Sequence, residues 1–375
     1  MRRRALVVVA LLATAAGASA CALLVDVGDH ALLVEPGIDA SESGGNHPGD
    51  SSSGDVSVGG DASNDGGAAA DAPAAVDAAS EGGVVVLASG LQRPNAIWGD
   101  ANNLYWIAEE TASQPGAVMA MPKAGGTPIT LVSDLQRPVA VKTSASTPVV
   151  YFTADGVHDS GVPGMFAVGK DGGVVTAVDT SVDGLRFDAL AVAGLAFTEA
   201  SDVDGGPSRL RITFAGGTPS CYPYETGPGG RIPAIAADST NIYIVDTSLP
   251  GLVAVGRSCD AGATVIAGGQ QALTVSYDTA DYFWLTSSAA LRLAKTPDAS
   301  PLVVAANLND AQAMTFPSVN GAYIACADGT IWHVQYPTLT KVADGQDDPS
   351  SILIDATGTA YWTNRGSGQV VTAHY

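Results

Sequence analysis

Four arginines recur at a similar distance ahead of apolar or aromatic strand cores. Each lies 10–14 residues before its core, and acidic residues follow several of the cores. The arginines are Arg93, Arg137, Arg186 and Arg231, and the acids are Glu109, Glu110, Asp155, Glu199 and Asp246. Guanidinium groups bind carboxylates through paired hydrogen bonds, so two interpretations stay open. Either each arginine pairs with a nearby acid and fixes a loop, or the four form an arc that recognises a carboxylate or an anionic glycan.

Other residues capable of catalysis do not form known motifs. The sequence has no Gly-x-Ser-x-Gly elbow and no P-loop, which argues against acyl transfer and nucleotide hydrolysis. Its five histidines are scattered, at His30, His47, His158, His333 and His374. For His333, inside a predicted strand, a structural role is expected. We therefore assign no catalytic residue, no metal ligand and no cofactor from the sequence.

Three cysteines follow Cys21 in the chain. Cys221 and Cys259 lie in turn regions of neighbouring repeats, and we predict a disulfide between them. Cys326 follows an apolar strand core and is expected to be a buried thiol. Without a Cys-x-x-Cys pair, these residues are a poor set of zinc ligands.

The elements that must position these residues repeat along the chain. Seven strand cores have centres 38–47 residues apart: Leu104–Trp106, Val150–Phe152, Leu195–Phe197, Ile242–Ile244, Tyr282–Trp284, Ala322–Ile324 and Ala360–Trp362. Such a period, with several short strands in each repeat, is typical of a β-propeller with one blade per repeat. We predict an all-β, seven-bladed β-propeller over residues 84–375. Six blades are the alternative, because the third repeat is degenerate after Ser208.

The last repeat has three predicted strands, and its fourth strand has a candidate elsewhere. The segment Val84–Leu87 precedes the first repeat and has the composition of an outer strand. An N-terminal strand that completes the last blade removes an exposed sheet edge. We therefore expect residues 84–87 to pair with the C-terminal strand.

The first 20 residues have the pattern of an export signal. Three arginines at positions 2–4 precede an apolar run at 5–16, which is too short to span a membrane. Small residues lead to Cys21, an arrangement that resembles the lipobox of bacterial lipoproteins. We predict a signal peptide at 1–20, lipidation of Cys21, and a lipid-anchored place in the cell envelope, at the outer membrane or cell surface. Ordinary cleavage after Ala20, with an incidental cysteine, is the alternative.

The segment from 21 to 83 is predicted to be a disordered acidic linker. It is dominated by Gly, Ser, Ala and Asp and contains no Lys or Arg, so it cannot bury enough apolar surface to fold. Calcium ligation by spaced aspartates such as Asp61 and Asp65 is disfavoured, because no EF-hand pattern is present. The whole chain has 38 acidic and 17 basic residues, which argues against nucleic acid as its main partner.

Two sets of residues resemble known propeller repeats. Tyr361-Trp362-Thr363-Asn364 is similar to the YWTD motif, and Leu-Gln-Arg-Pro at 91–94 and 135–138 resembles NHL-type repeats. Residues 84–375 look like the secreted, lipid-anchored propellers of myxobacterial type. The resemblance implies a binding or scaffold module for a protein or an envelope glycan, held at the membrane by its lipid. We expect a monomer.

The repeat style is also similar to that of streptogramin lyases, which use loop histidines and a glutamate around Mg. In this chain His158, with Asp155 and Asp159, lies in a comparable loop, but no partner motif matches. The alternative function is therefore a propeller enzyme, a lyase or lactone hydrolase, that uses loop acids and a divalent ion. This alternative requires three or more acids to converge with His158.

Overall fold

The computed structural model describes most of the chain from Gly83 onward. The described residues are 83–143, 147–158, 160–180, 186–191, 196–200, 206–213, 221–249, 251–260, 262–269, 271–296, 298–315, 321–336 and 338–374. For 186–191 and 196–200, the backbone alone is described. The predicted signal peptide, the lipidation site at Cys21 and the acidic linker lie outside these residues.

The described residues form a β-propeller without helices, which confirms the all-β prediction. Their strands make seven antiparallel sheets, which we number along the chain. Within this part of the chain no helix is long and apolar enough to cross a membrane.

The strands of the first three sheets run from Pro94 to Glu225. Sheet 1 has β2 (Pro94–Gly99), β3 (Asn103–Ala108), β4 (Gly116–Pro122), β5 (Ile129–Gln136) and β8 (Gly156–Val157); sheet 2 has β6 (Ala140–Thr143), β7 (Val149–Ala154), β9 (Gly164–Gly169) and β10 (Thr176–Thr180); sheet 3 has β11 (Arg186–Ala191), β12 (Ala196–Ala200), β13 (Arg209–Ile212) and β14 (Cys221–Glu225).

The remaining four sheets complete the ring. Sheet 4 has β15 (Ile235–Ala237), β16 (Asn241–Asp246), β17 (Gly251–Gly256) and β18 (Ala263–Ala267); sheet 5 has β19 (Thr274–Tyr277), β20 (Asp281–Leu285), β21 (Ala289–Ala294) and β22 (Leu302–Ala306); sheet 6 has β23 (Ala311–Met314), β24 (Ala322–Cys326), β25 (Ile331–Gln335) and β26 (Thr338–Ala343); sheet 7 has β27 (Pro349–Ile354), β28 (Thr359–Asn364), β29 (Gln369–His374) and β1 (Val84–Ala88).

The predicted strand cores lie in the second strand of each sheet, except that Leu195 of the third core is outside the described residues. Where side chains are described, alternate residues of these strands pack into different clusters: Tyr105 and Ile107 lie in one, and Leu104 and Trp106 lie in another. Trp106, Trp284 and Trp362 hold the same position in sheets 1, 5 and 7 and are fully buried. Burial of side chains of this size contributes several kcal/mol each, of the order of 25 cal/mol per Å² of apolar surface. The repeat in the sequence is thus the repeat of the hydrophobic core.

The N-terminal strand closes the ring, as the sequence predicts. Strand β1 pairs antiparallel with β29, with Val84 opposite Ala373 and Val86 opposite Val371. Val84 and Val86 pack against the core of sheet 7. This pairing joins the two ends of the propeller and covers the outer edge of β29.

The structure contains a disulfide between the two cysteines that the sequence pairs. Cys221 begins β14 and Cys259 follows β17, and their Cα atoms are 5.6 Å apart. The bond therefore links sheet 3 to sheet 4. Cys326 is a free, buried thiol at the end of β24, and burial raises its pKa.

Candidate functional site

The central channel contains a cavity of about 600 Å³. The innermost strands of six sheets line it: β2, β6, β15, β19, β23 and β27. The lining extends from Ala140 and Ser351, near the beginnings of these strands, to Asp100 and Thr357 in the turns that follow them. The channel therefore has two ends. We call the end where the innermost strands begin the arginine face, and the end where they turn into the second strands the turn face.

A repeated aspartate shapes the turn face. The Asp100 carboxylate accepts the backbone N–H groups of Asn102 and Asn103, each at 2.9 Å, and the Tyr105 hydroxyl at 3.0 Å. A short polar side chain that bonds the backbone two or three residues ahead is a common device for a tight turn. Aspartate carboxylates accept in the same way at the corresponding turns of three other sheets. Asp238 accepts from Thr240, Asn241 and Tyr243, Asp278 accepts from Ala280 and Asp281, and Asp355 accepts from Thr357, Thr359 and Tyr361.

A cation follows the third strand in four sheets and binds these turns. Lys170 Nζ lies 2.8 Å from Asp100, and Lys123 Nζ lies 3.4 Å from Asp355. Each of these two bridges crosses from one sheet to the next. Arg257 and Lys295 donate instead to the backbone carbonyl oxygens of the Asp238 and Asp278 turns, at 2.9 and 2.6 Å. The turn face is thus a belt of aspartates and cations, in which each cation bonds a turn of its own sheet or of the next one.

The protonation of the turn-face groups follows from this bonding. Burial alone would raise the pKa of Asp100, but hydrogen bonds from Lys170, the turn N–H groups and Tyr105 outweigh it and lower that pKa. The pKa of Asp355 is lowered in the same way, against burial, by Thr357 and the charge of Lys123. Burial and the neighbouring Asp355 carboxylate raise the pKa of Tyr361 to about 12. These aspartates are therefore ionised and bonded at neutral pH.

Lys295 lies in an aromatic cage on the turn face. Its Nζ is 5.5, 4.9 and 5.0 Å from the ring centres of Tyr243, Tyr277 and Tyr282. Burial lowers the pKa of Lys295, and the carboxylates of Asp238, Asp278 and Asp281 oppose that shift. Cation–π contacts of this kind add to the junction between sheets 4 and 5.

The arginine face carries ion pairs that are more exposed. Arg93 Nε lies 2.9 Å from Glu109, and Arg137 binds Asp155 through Nε and Nη2 at 2.7 and 3.0 Å. These are the pairs that the loop-fixing interpretation requires for two of the four predicted arginines. Arg137 also donates its backbone N–H to Glu110, at 2.7 Å.

Sheet 7 has the same pair with its charges exchanged. Asp348 occupies the position of Arg93, and Arg365 occupies the position of Glu109. Arg365 binds Asp348 through Nε and Nη2 at 2.7 and 3.2 Å, and its Nη1 lies 3.5 Å from Glu109. Glu109 therefore joins Arg93 of sheet 1 to Arg365 of sheet 7, across the junction between the first and last sheets.

The other two arginines of the predicted arc are placed differently. Arg231 is exposed, and its backbone N–H and C=O exchange hydrogen bonds with Thr247, at 2.8 Å to the Thr247 hydroxyl and 3.1 Å from the Thr247 N–H. Asp246 accepts the Tyr224 hydroxyl at 2.5 Å. Arg186 begins β11, and its side chain, like that of Glu199, lies outside the described part of the structure.

The backbone at the beginning of the innermost strands is unusual. Arg93, Arg137, Asp310 and Asp348 all have positive φ, between 34° and 55°. These values are rare for residues other than glycine and are maintained by surrounding bonds. One of these surrounding bonds recurs in two sheets. The carbonyl oxygens of Asp310 and Asp348 accept the N–H groups of Ala327 and Arg365, at 2.9 and 3.0 Å.

One wall of the channel is distorted where it carries an aromatic side chain. Strand β2 has a bulge between Asn95 and Trp98, with Ala96 at a φ of 48°. Trp98 donates from Nε1 to the Thr143 carbonyl oxygen at 2.9 Å, and Lys142 Nζ lies 3.4 Å from the centre of its ring. Bulges often redirect a side chain at a binding site. Trp98 and Lys142 both line the cavity.

The residues of the enzyme alternative do not converge in the described part of the chain. Asp155 is bound by Arg137, and His158 is exposed, with its Nδ1 3.9 Å from Asp134. Among the described residues no group of three or more His, Cys, Asp or Glu side chains could hold a metal ion. Asp159 lies outside them.

Sequence reasoning missed the turn-face belt and the exchanged pair of sheet 7. The turns had a readable signal, because Asp100 and Asp238 each precede their tyrosine by five residues and Asp355 precedes its tyrosine by six. Arg365 follows the second strand of its sheet, so a pattern of arginines at the beginning of the first strand does not include it. Of the predicted arc residues, Arg93, Arg137 and Arg231 do not line the cavity, which begins two to three residues farther along the chain.

Comparisons with solved structures support the fold. The chain is similar to a streptogramin B lyase, with a TM-score of 0.58 and 11% identity, over 77% of this chain and 96% of the lyase. It is similar to a catalytically inactive virginiamycin B lyase from Staphylococcus aureus with quinupristin, with a TM-score of 0.60 and 12% identity, over 79% of this chain and all of the lyase. At such identities the likeness shows the β-propeller fold and nothing finer.

A third similar structure belongs to a bacterial surface protein. It is PorZ, an essential surface component of the type-IX secretion system of Porphyromonas gingivalis, with a TM-score of 0.51 and 13% identity. The match covers 78% of this chain and 39% of PorZ. No family model and no curated protein matches the chain.

Proposed function

We propose that the protein is an extracytoplasmic binding module, anchored by a lipid at Cys21, whose propeller takes a protein or envelope-glycan partner at its channel. The observation that carries this function is the cavity of about 600 Å³ that follows the innermost strands of six sheets. A volume of this size is within the range of small-molecule and side-chain pockets. The half-exposed charges of the arginine face surround one end of it.

The contrast between the two kinds of ion pair supports binding at the arginine face. The turn-face ion pairs Lys170–Asp100 and Lys123–Asp355 are only 9–18% exposed and bond within the fold. Side chains at the arginine face are 31–49% exposed for Arg93, Arg137 and Arg365. Charged groups that are accessible and held in place can orient a partner at modest cost in ordering.

A matched pair of substitutions tests the channel. Ala313 lines the cavity, so Ala313→Phe should narrow it, whereas Ala263→Phe places the same ring on the exposed outer strand β18. Partners are captured by cross-linking in envelope extracts and by glycan array, with melting temperatures measured in parallel. Loss of a partner with Ala313→Phe alone, in a folded protein, supports the channel. Equal retention by both variants would place binding elsewhere.

The lipid anchor is tested separately. Cys21→Ser removes the residue that a lipid would modify, and lipidation would be the source of membrane affinity in this proposal. We expect the wild-type chain in the membrane fraction and the Cys21→Ser chain in the soluble fraction, by fractionation and mass spectrometry of the N-terminus. A Cys21→Ser chain that still partitions with membranes would remove the lipoprotein from the proposal and leave the channel untouched.

The second candidate function is a propeller enzyme of the lyase or lactone hydrolase class. The observation that favours it is the similarity of the fold to two lyases. Incubation of the full chain with quinupristin and with lactones, with and without Mg²⁺, and mass analysis of the products decide it. Ring opening that depends on His158 would replace the binding function with catalysis.

A further inference from the structure

Three arginines of the arginine face use their guanidinium groups differently. Arg137 binds Asp155 and Arg365 binds Asp348 through Nε and Nη2, so one edge of each guanidinium group is occupied by two bonds, and Nη1 of Arg365 also lies 3.5 Å from Glu109. Arg93 makes a single bond, from Nε to Glu109 Oε2 at 2.9 Å. A guanidinium group has five N–H donors, so the four donors on the two Nη atoms of Arg93 bond no described residue.

The position of Arg93 makes these donors accessible. Its side chain is 49% exposed, compared with 35% for Arg137 and 31% for Arg365. The Nη pair at the end of a guanidinium group can bind the two oxygens of a carboxylate in parallel. Arg93 thus presents its terminal Nη pair to solvent, whereas Arg137 and Arg365 use the edge formed by Nε and Nη2 within the fold.

The surroundings hold Arg93 in place. Glu109, its partner, also accepts Asn95 Nδ2 at 2.8 Å and lies 3.5 Å from Arg365. Gln92 Nε2 donates to the Glu109 carbonyl oxygen at 2.6 Å and to the Pro115 carbonyl oxygen at 3.0 Å. Because these bonds fix the partner carboxylate and the adjoining loop, little side-chain entropy remains to be lost when a ligand binds.

The side chains of the adjoining loop and the net charge of the whole chain restrict the chemical class of the ligand. Residues 110–115 expose hydroxyl, amide and carboxylate groups, including Ser113 and Gln114, and contain none of the exposed large apolar side chains. Such groups complement sugar hydroxyls better than a hydrocarbon tail. The net charge of -21 repels polyanions, so a ligand with one carboxylate is favoured over a highly charged polymer.

We infer that Arg93 binds the carboxylate of a sugar acid, such as a hexuronic acid residue in an envelope glycan, at the arginine face. This inference rests on the proposed binding function and names the ligand class of that face. Ala96, three residues after Arg93, lines the cavity, so a sugar bound at Arg93 would continue toward the channel. Arg93 is a binding residue in this proposal, and Arg137 is a structural one.

The experiment uses the full chain carrying Cys21→Ser and two probes that differ in one group. Methyl glucuronide has the carboxylate and methyl glucoside lacks it. By calorimetry or ligand-observed NMR, we expect the glucuronide to bind at least tenfold more tightly than the glucoside. We expect Arg93→Gln to lose that tenfold preference, Arg93→Lys to keep part of it, and Arg137→Gln to keep it within a factor of two.

Each other outcome overturns the inference in a recognisable way. Equal binding of the two sugars, or equal loss in Arg93→Gln and Arg137→Gln, removes carboxylate recognition by Arg93. Binding of a glutamate-containing peptide through Arg93, without binding of the glucuronide, assigns the fork to peptide carboxylates instead. Absence of any glucuronide binding rejects the sugar acid, while the Ala313→Phe test of the channel still decides the proposed function.

Discussion

The two faces of the propeller contain the same kinds of charged residue at repeated positions, yet they use them in opposite ways. On the turn face, the side chains of Asp100, Lys170, Lys123 and Asp355 are 9–18% exposed and bridge adjacent sheets. On the arginine face, Arg93 and Arg137 are 49% and 35% exposed, and each pairs within its own sheet. The presence of charged residues in every repeat does not show whether those residues stabilise the fold or bind a ligand. Burial and the number of bonds per group separate the two roles.

The difference has a physical origin in the turns. A two- or three-residue turn leaves backbone N–H groups that need acceptors, and an aspartate in the turn supplies them at short range. Once buried, its carboxylate needs a compensating cation, which the next sheet supplies. At the arginine face the side chains of Arg93, Arg137 and Arg365 are 31–49% exposed, so water can satisfy their polar groups. Their ion pairs are therefore free to change without loss of the fold.

The largest effect is expected from removing an aspartate of the turn face. Asp100→Ala leaves the Lys170 charge, the Tyr105 hydroxyl and two turn N–H groups without their acceptor. Breaking a buried pair from one side costs about 3–5 kcal/mol, and we expect a loss of this size in the free energy of unfolding. Denaturant titration measures it.

Asp171 provides the matched control, because it follows Lys170 and is exposed. Asp171→Ala should change the free energy of unfolding by less than about 0.5 kcal/mol. If the two alanine variants unfold at the same denaturant concentration, the turn-face ion pair does not stabilise the fold, and the proposed difference between the two faces is wrong.

The next effect concerns the covalent link between sheets 3 and 4. Cys221 and Cys259 are 38 residues apart in sequence, and their bond closes a loop that the unfolded chain would otherwise leave open. Replacing both cysteines with serine should lower the free energy of unfolding by about 2–4 kcal/mol. Cys326→Ser, measured beside it, tests the buried free thiol instead. A double variant as stable as the wild type would show that the packing of Leu210 and Ile212 against Ile242 joins these sheets without the disulfide.

The sequence predicts the repeated core better than it predicts either face. The strand cores at Tyr105, Tyr243 and Tyr361 are recognisable because a strand buried on both faces needs a nearly continuous apolar run, wherever its neighbours lie. The closure by Val84 and Val86 follows from counting strands. Both inferences need information only about spacing along the chain.

The charged contacts could not be predicted in the same way. Lys123 and Asp355 are 232 residues apart in sequence and meet because sheets 1 and 7 are neighbours in the ring. The exchange of charges between Arg93–Glu109 and Asp348–Arg365 preserves an ion pair while reversing the residue types, so a search for one residue type at one position misses it. Which arginine faces solvent depends on bond geometry that spacing does not encode.

Acid should destabilise the fold through the turn-face aspartates. The pKa values of Asp100, Asp238 and Asp355 are lowered in the folded protein. A group with a lowered folded pKa contributes stability above its unfolded value of about 3.9, and that contribution is lost as the pH falls through the folded pKa. We expect the free energy of unfolding to fall steeply below about pH 4, and Asp355→Asn to flatten this fall. An unchanged slope in Asp355→Asn would assign the acid sensitivity to other carboxylates.

The smallest effect on stability is expected at the arginine face, and it is the sharpest test of the contrast. Arg137 makes two bonds to Asp155, yet its side chain is 35% exposed, so water can replace the guanidinium group when it is removed. Exposed ion pairs contribute about 0–1 kcal/mol, and we expect Arg137→Gln to cost no more than that in the free energy of unfolding. Salt at about 1 M should reduce the difference from wild type, because screening acts on exposed charges first. Denaturant titrations at low and high salt, with Asp100→Ala alongside, measure both. A cost for Arg137→Gln as large as that for Asp100→Ala, and insensitive to salt, would mean that the arginine face holds the fold as tightly as the turn face does.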